Sequence, residues 1–138
     1  MKNYEIVNLV RTYVAVRNAK TEEVKLPAAV AWKKRLNFDK LSHANELIVE
    51  AQKEINERYS DDEHSVEVEV AYKDEDGMMK KRPERRVRDE FVTEFEKELK
   101  TLFDQETDVD IKKVKIDDLK GVDLTDADMD TLWFMIEE

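Results

Sequence analysis

Few residues in this 138-residue chain have the type and spacing that chemistry requires. Its two histidines are His43 and His64, and it has no cysteine, which removes disulfides, thiol catalysis and cysteine-ligated metal together. His43 lies four residues before Leu47, with Glu46 within a turn. A di-metal helical site needs Glu-x-x-His repeated on partner helices, and that order is absent. Both histidines read as surface residues.

Tyr72-Lys-Asp-Glu-Asp-Gly77 resembles the middle of a calcium loop, with Asp74 and Asp76 at the third and fifth ligand positions. The same template puts Tyr72 at the first ligand and Pro83 at the twelfth, where a bidentate glutamate belongs, so a turn is the better reading. Carboxylates are densest at Asp123, Asp126, Asp128 and Asp130. A helix start accounts for most of these: Thr125 can accept from the Asp128 N–H, and the dipole favours acids in the first turn. Leu124 and Met129 occupy the staple positions around that cap. The chain has no Gly-rich phosphate loop and no Gly-x-Ser-x-Gly turn. The expectation is a protein that is not an enzyme and uses no cofactor, with a carboxylate-metal hydrolase as the residual option.

Two features suit contact better than catalysis. The run Lys80, Lys81, Arg82, Arg85, Arg86 and Arg88, broken by Pro83 and Glu84, is a basic patch of about +5 in a chain whose net charge is −10. It could grip phosphate, or pair with the protein's own acidic surface as a solvated turn. The whole-chain field opposes a polyanion, so nucleic acid is not the expected partner. The second feature is Leu132, Trp133, Phe134, Met135 and Ile136. Five consecutive apolar residues point all round a helix, whereas a surface helix buries one stripe. They either close the core alone or close it and leave a protein-contact surface, where aromatics and Met are enriched.

The elements that would position these residues follow from periodicity. Ile6, Leu9, Val10, Tyr13 and Val16 have helical spacing within Tyr4–Arg17. A polar connector, Asn18–Lys25, leads to Leu26-Pro27, which opens a long helix. Leu41, Ala44, Ile48, Ala51, Ile55 and Tyr59 form its stripe; Val30, Trp32, Leu36 and Phe38 fit that stripe poorly, which predicts a kink or change of face near Asn37. Val66, Val68, Val70 and Tyr72 alternate as a half-buried strand, Asp76-Gly77 is a turn, and Met78–Arg82 is a weak return strand ended by Pro83. Phe91, Phe95, Leu99 and Leu102 or Phe103 mark a further helix. Val109, Ile111, Val114 and Ile116 then alternate, with Lys112-Lys113 slipping the register as a bulge would.

The expected fold is α+β in one domain, 1–138: a helical hairpin at 1–59, a β-hairpin and basic turn insert at 60–88, and a helix-strand-helix at 89–138. The small antiparallel sheet is expected to pair Val66–Tyr72 with Val109–Ile116. Hydrophobic content of 41% supports a modest core, and 42% charged residues imply solvated helix faces. No apolar run approaches the roughly 20 residues that span a bilayer, and Met1–Glu5 begins no signal peptide, so no membrane partner is expected.

In order and spacing the chain resembles a family of small phage and prophage proteins of unknown function from bacteria of the Firmicutes type. The residues that carry this are Lys25-Leu-Pro-Ala-Ala-Val-Ala-Trp-Lys opening a long charged helix, its end at Glu57-Arg-Tyr, and Phe91-Val-Thr-Glu-Phe-Glu-Lys-Glu-Leu. Val109-Asp-Ile-Lys-Lys-Val-Lys-Ile-Asp-Asp-Leu and Leu124-Thr-Asp-Ala-Asp-Met-Asp-Thr-Leu complete it. Val66–Arg88 departs from the pattern, being longer and more basic. The resemblance implies no activity and no catalytic residues. The expectation for the chain as a whole is a non-enzymatic phage-encoded accessory or assembly protein working by protein–protein contact through the long helix stripe and the terminal apolar block, with itself among the candidate partners, in the bacterial host cytoplasm or on the virion. The alternative is an acidic inhibitor of a host nucleic-acid-binding or defence protein.

Overall fold

The computed structural model describes residues 1–19 and 25–137, so most of the expected connector at 18–25 lies outside the described residues. The fold is α+β, with a long helix pair and a small antiparallel sheet. Helix α1 spans Asn3–Asn18 and α2 spans Ala28–Arg58; strands β1, Ser65–Lys73, and β2, Met79–Val87, precede helix α3, Asp89–Asp104. Strand β3, Val114–Lys115, a 3-10 turn at Ile116–Leu119, helix α4 at Asp126–Leu132, a 3-10 turn at Trp133–Met135 and strand β4, Ile136–Glu137, complete the chain. The polypeptide divides into two compact units, residues 1–48 with 104–138, and residues 49–103. The division falls inside α2. Among the described residues, no helix is long and apolar enough to cross a membrane.

In the first unit, α1 buries Ile6, Leu9 and Val10 through its 3-4 spacing, and α2 buries Val30, Phe38, Leu41, Ala44 and Ile48. Helix α2 is continuous through Asn37, near which the sequence predicts a kink or change of face. The interruption in its apolar stripe is Asn37 itself, a buried amide occupying a core position. Trp32, which fitted the stripe poorly, is 60% exposed. Phe38 stacks on Tyr13 with ring centroids 4.1 Å apart and takes Phe134 edge-on at 5.5 Å, so helix α1, helix α2 and the C-terminal segment share one aromatic core.

The expected pairing of Val66–Tyr72 with Val109–Ile116 is not formed. Strand β1 pairs instead with β2 in an antiparallel ribbon running from Ser65↔Val87 to Lys73↔Met79. A local turn favours this pairing because it closes a far shorter loop than a partner beyond α3 would. Asp74 builds the turn: its carboxylate accepts from the N–H groups of Asp76 (3.0 Å) and Met78 (2.9 Å), and Gly77 takes a φ of 78°. Pro83 does not end the return strand; it lies within it opposite Glu69, tolerated because both strands of a two-stranded ribbon are edges. Of the Val109–Ile116 stretch, Val114–Lys115 forms a strand, and it pairs in parallel with Ile136–Glu137. In the second unit, Ile55 of α2 and Tyr59 just after it are buried; Phe91, Phe95, Leu99, Leu102 and Phe103 of α3 are half-buried.

Candidate functional site

The C-terminal apolar block is spread over three elements, not one helix. Leu132 ends α4, Trp133–Met135 form the 3-10 turn, and Ile136 opens β4. Helix α4 starts as its residues dictate: Asp128 N–H donates to Thr125 Oγ1 (3.2 Å), and the Asp128 carboxylate accepts from Thr125 N–H (3.0 Å) and its hydroxyl (2.7 Å). This assigns Asp128 to a cap. The change of helical pitch after Leu132 rotates successive side chains, so Leu132, Phe134 and Met135 enter the core and Ile136 is half-buried. Leu132, Phe134 and Met135 are therefore packing residues. Trp133 is turned outward, 61% exposed.

Trp133 lies on a cleft of about 450 Å³ between α1 and the C-terminal segment, shared with Tyr4, Leu9, Thr12 and Asp130. Tyr4 is 43% exposed. The floor is apolar and anchored below by Phe134, whose carbonyl accepts from Lys113 Nζ at 2.7 Å. The rim carries Glu5, Asn8 and Asp130. An apolar floor with a polar rim and an exposed indole is the anatomy of a protein-contact patch.

The six basic residues do not form one surface. Strand alternation in β2 puts Lys80, Arg82 and Arg86 on one face of the ribbon and Lys81 and Arg85 on the other. Several are already engaged. Lys80 pairs with Asp74 at 3.0 Å, which holds the Asp74 carboxyl below the usual carboxylate range. Arg85 pairs with Asp62 and donates through Nε to the Ser60 carbonyl (2.7 Å) and Ser65 Oγ (2.8 Å). Arg88 donates to the Asp62 carbonyl (3.0 Å), Arg86 lies 3.6 Å from Glu84, and Arg82 sits over the Tyr72 ring. Of the calcium-loop carboxylates, Asp74 is committed to its own turn.

His43 is exposed on α2. His64 is half-buried between Tyr59 (5.4 Å) and Phe91 (4.7 Å), with its Nδ1 2.6 Å from Asp61. That hydrogen bond raises the imidazole above its ordinary value and lowers Asp61. Asp61, Glu63 and His64 bring three ligand-type atoms within 4.8 Å of one another. The short Asp61–His64 contact makes a structural pair of two of them. Tyr59 is pushed up to about 12, first by its hydrogen bond to Glu98 and then by burial.

A feature the sequence reading passed over is a second cleft of about 700 Å³, where Arg17, Lys25, Lys34 and Arg35 converge around Tyr13. Arg17 and Lys34 lie 5.7 and 5.8 Å from its ring centroid. Lys34 and Arg35 are adjacent on α2, but Arg17 comes from α1 and Lys25 from the segment before α2, so the cluster as a whole is not contiguous in sequence. Comparison with protein-family models, curated proteins and solved structures finds no match for this chain.

Proposed function

We propose that this chain is a non-enzymatic accessory or assembly protein of phage or prophage origin, acting through protein–protein contact, with Trp133 as the anchor. The observation that carries this reading is the 61% exposure of Trp133 beside three core residues, on an apolar cleft. Leaving an indole in water forgoes a burial free energy that neighbouring Leu132 and Met135 collect, and such residues supply the central hot spots of interfaces. The ribbon's Lys80, Arg85 and Arg86 are used in pairs with Asp74, Asp62 and Glu84, which leaves the Trp133 cleft as the better candidate for a partner. The site of action under this reading is the bacterial host cytoplasm or the virion.

The test is a tagged pull-down from phage-infected or prophage-induced cells with wild type and Trp133→Asp. Recovery of a discrete partner by wild type, retained in about 0.5 M salt and lost with Trp133→Asp, supports the apolar contact. Equal recovery by the variant contradicts it. Release of the partner by salt alone would instead favour an acidic inhibitor of a basic host protein.

A further inference from the structure

The β1–β2 ribbon protects one of its two edges and leaves the other open. The Arg88 N–H donates to the His64 carbonyl at 2.8 Å, and the Asp74 N–H to the Met78 carbonyl at 3.0 Å, both in the register of the ladder. Even-numbered residues of β1 therefore turn their backbone groups towards β2, and antiparallel alternation turns those of Glu67, Glu69, Ala71 and Lys73 outward. Pro83, opposite Glu69, has its missing N–H on the outer edge of β2, beside Lys81 and Arg85. A proline at such a position blocks strand addition. The outer edge of β1 has no proline, and among the described residues no third strand joins the ribbon.

We propose that the outer edge of β1 pairs with the same edge of a second copy of this chain, making a four-stranded antiparallel sheet about a twofold axis at Val70. The sequence of β1 is self-complementary in that register. Backbone alternation makes Glu67↔Lys73 and Glu69↔Ala71 the hydrogen-bonded pairs between copies, each occurring twice. Val70 meets Val70, and Val68 meets Tyr72, on the face that is half-exposed in one copy. Centring the axis on Glu69 or Val68 would set glutamates against glutamates, and centring it on Ala71 would pair Glu69 with Lys73 but overlap only residues 69–73 of the strand, so charge and length together select Val70. A nine-residue two-stranded ribbon is marginal by itself, and two added strands remove its open edge. The inference concerns the second unit and does not depend on the Trp133 contact.

The test is the oligomeric state of the full chain by sedimentation velocity, with three variants. Wild type is expected to dimerise with a Kd on the order of 10 µM, as suits so small an interface. Ala71→Pro removes an outward N–H while sparing the ladder to β2, and is expected to be monomeric with unchanged far-UV circular dichroism. Lys73→Glu is expected to weaken the dimer about tenfold through two like-charge contacts, and Glu67→Lys with Lys73→Glu to restore it. Trp133→Asp is expected to leave the dimer intact. A wild type that stays monomeric at about 500 µM overturns the proposal. So does dimerisation insensitive to Ala71→Pro, a charge swap that fails to rescue, or loss of the dimer in Trp133→Asp.

Discussion

The side-chain amide of Asn37 pairs with both backbone groups of Lys112: Oδ1 accepts from its N–H at 2.8 Å, and Nδ2 donates to its carbonyl at 2.9 Å. A single helical side chain thus does for the Asp110–Lys113 segment what a neighbouring strand would do. Lys33 and Lys40 reinforce the seam by donating to the carbonyls of Lys113 (3.1 Å) and Asp110 (2.9 Å). This is why the alternating Val109–Ile116 stretch needs no sheet partner along most of its length. It also fixes the approach of Val114 to Ile136, and so the direction in which the Trp133 turn faces.

Asn37 is fully buried, so its loss leaves Lys112 with two unpaired backbone groups. Asn37→Ala is expected to cost about 2–4 kcal/mol of unfolding free energy, from lost hydrogen bonds and a cavity. Urea denaturation measures this; a cost below about 1 kcal/mol would mean that the Asn37–Lys112 pair does not hold the segment.

The C-terminal block should split sharply by burial. Leu132→Ala and Met135→Ala are expected to cost about 2–5 kcal/mol each, because both side chains are fully buried. Trp133→Ala should stay within about 0.5–1 kcal/mol of wild type. Comparable losses at all three positions would show that the indole is core.

The cap of α4 is open to the same assay. Thr125→Ala removes the acceptor for Asp128 N–H and should cost about 1 kcal/mol. Thr125→Ser keeps the hydroxyl and should be nearly silent.

The Asp61–His64 pair sets a pH window. His64 is raised above 6.5 by Asp61, so its contribution is fully present below 6.5 and lost as pH rises through the higher folded value. Asp61 is lowered below 3.8 by His64, so its contribution is present above 3.8 and lost as pH falls through the lower folded value. The pair therefore stabilises most between 3.8 and 6.5. Denaturation midpoints of wild type and His64→Gln should differ most near pH 5 and converge in mild alkali. A gap that widens with rising pH would reverse the assignment.

Much of the helical framework can be read from residue spacing, because Ile6-Leu9-Val10 and Leu41-Ala44-Ile48 declare their buried faces locally. The Thr125 cap is equally local. Asn37 could not be read this way: a polar residue in an apolar stripe looks like a break until Lys112 is placed beside it. Strand β1 was legible from its alternation, but its partner was decided by loop closure, which alternation does not encode. The basic run looked like a patch because its acidic partners, Asp62 and Asp74, lie on other segments. Trp133 was legible as part of a surplus; singling it out needed the change to 3-10 pitch after Leu132.

The contact assigned to Trp133 has an internal control, since Trp32 is equally exposed at 60% against 61%. The decisive measurement is the affinity of Trp133→Asp and Trp32→Asp for the partner recovered by the wild-type chain, in about 0.5 M salt. The expected result is a loss of about 30-fold or more for Trp133→Asp, the scale of an interface hot spot, with Trp32→Asp within about threefold of wild type. Equal losses at the two positions, or none at Trp133, would contradict a contact centred on the C-terminal turn.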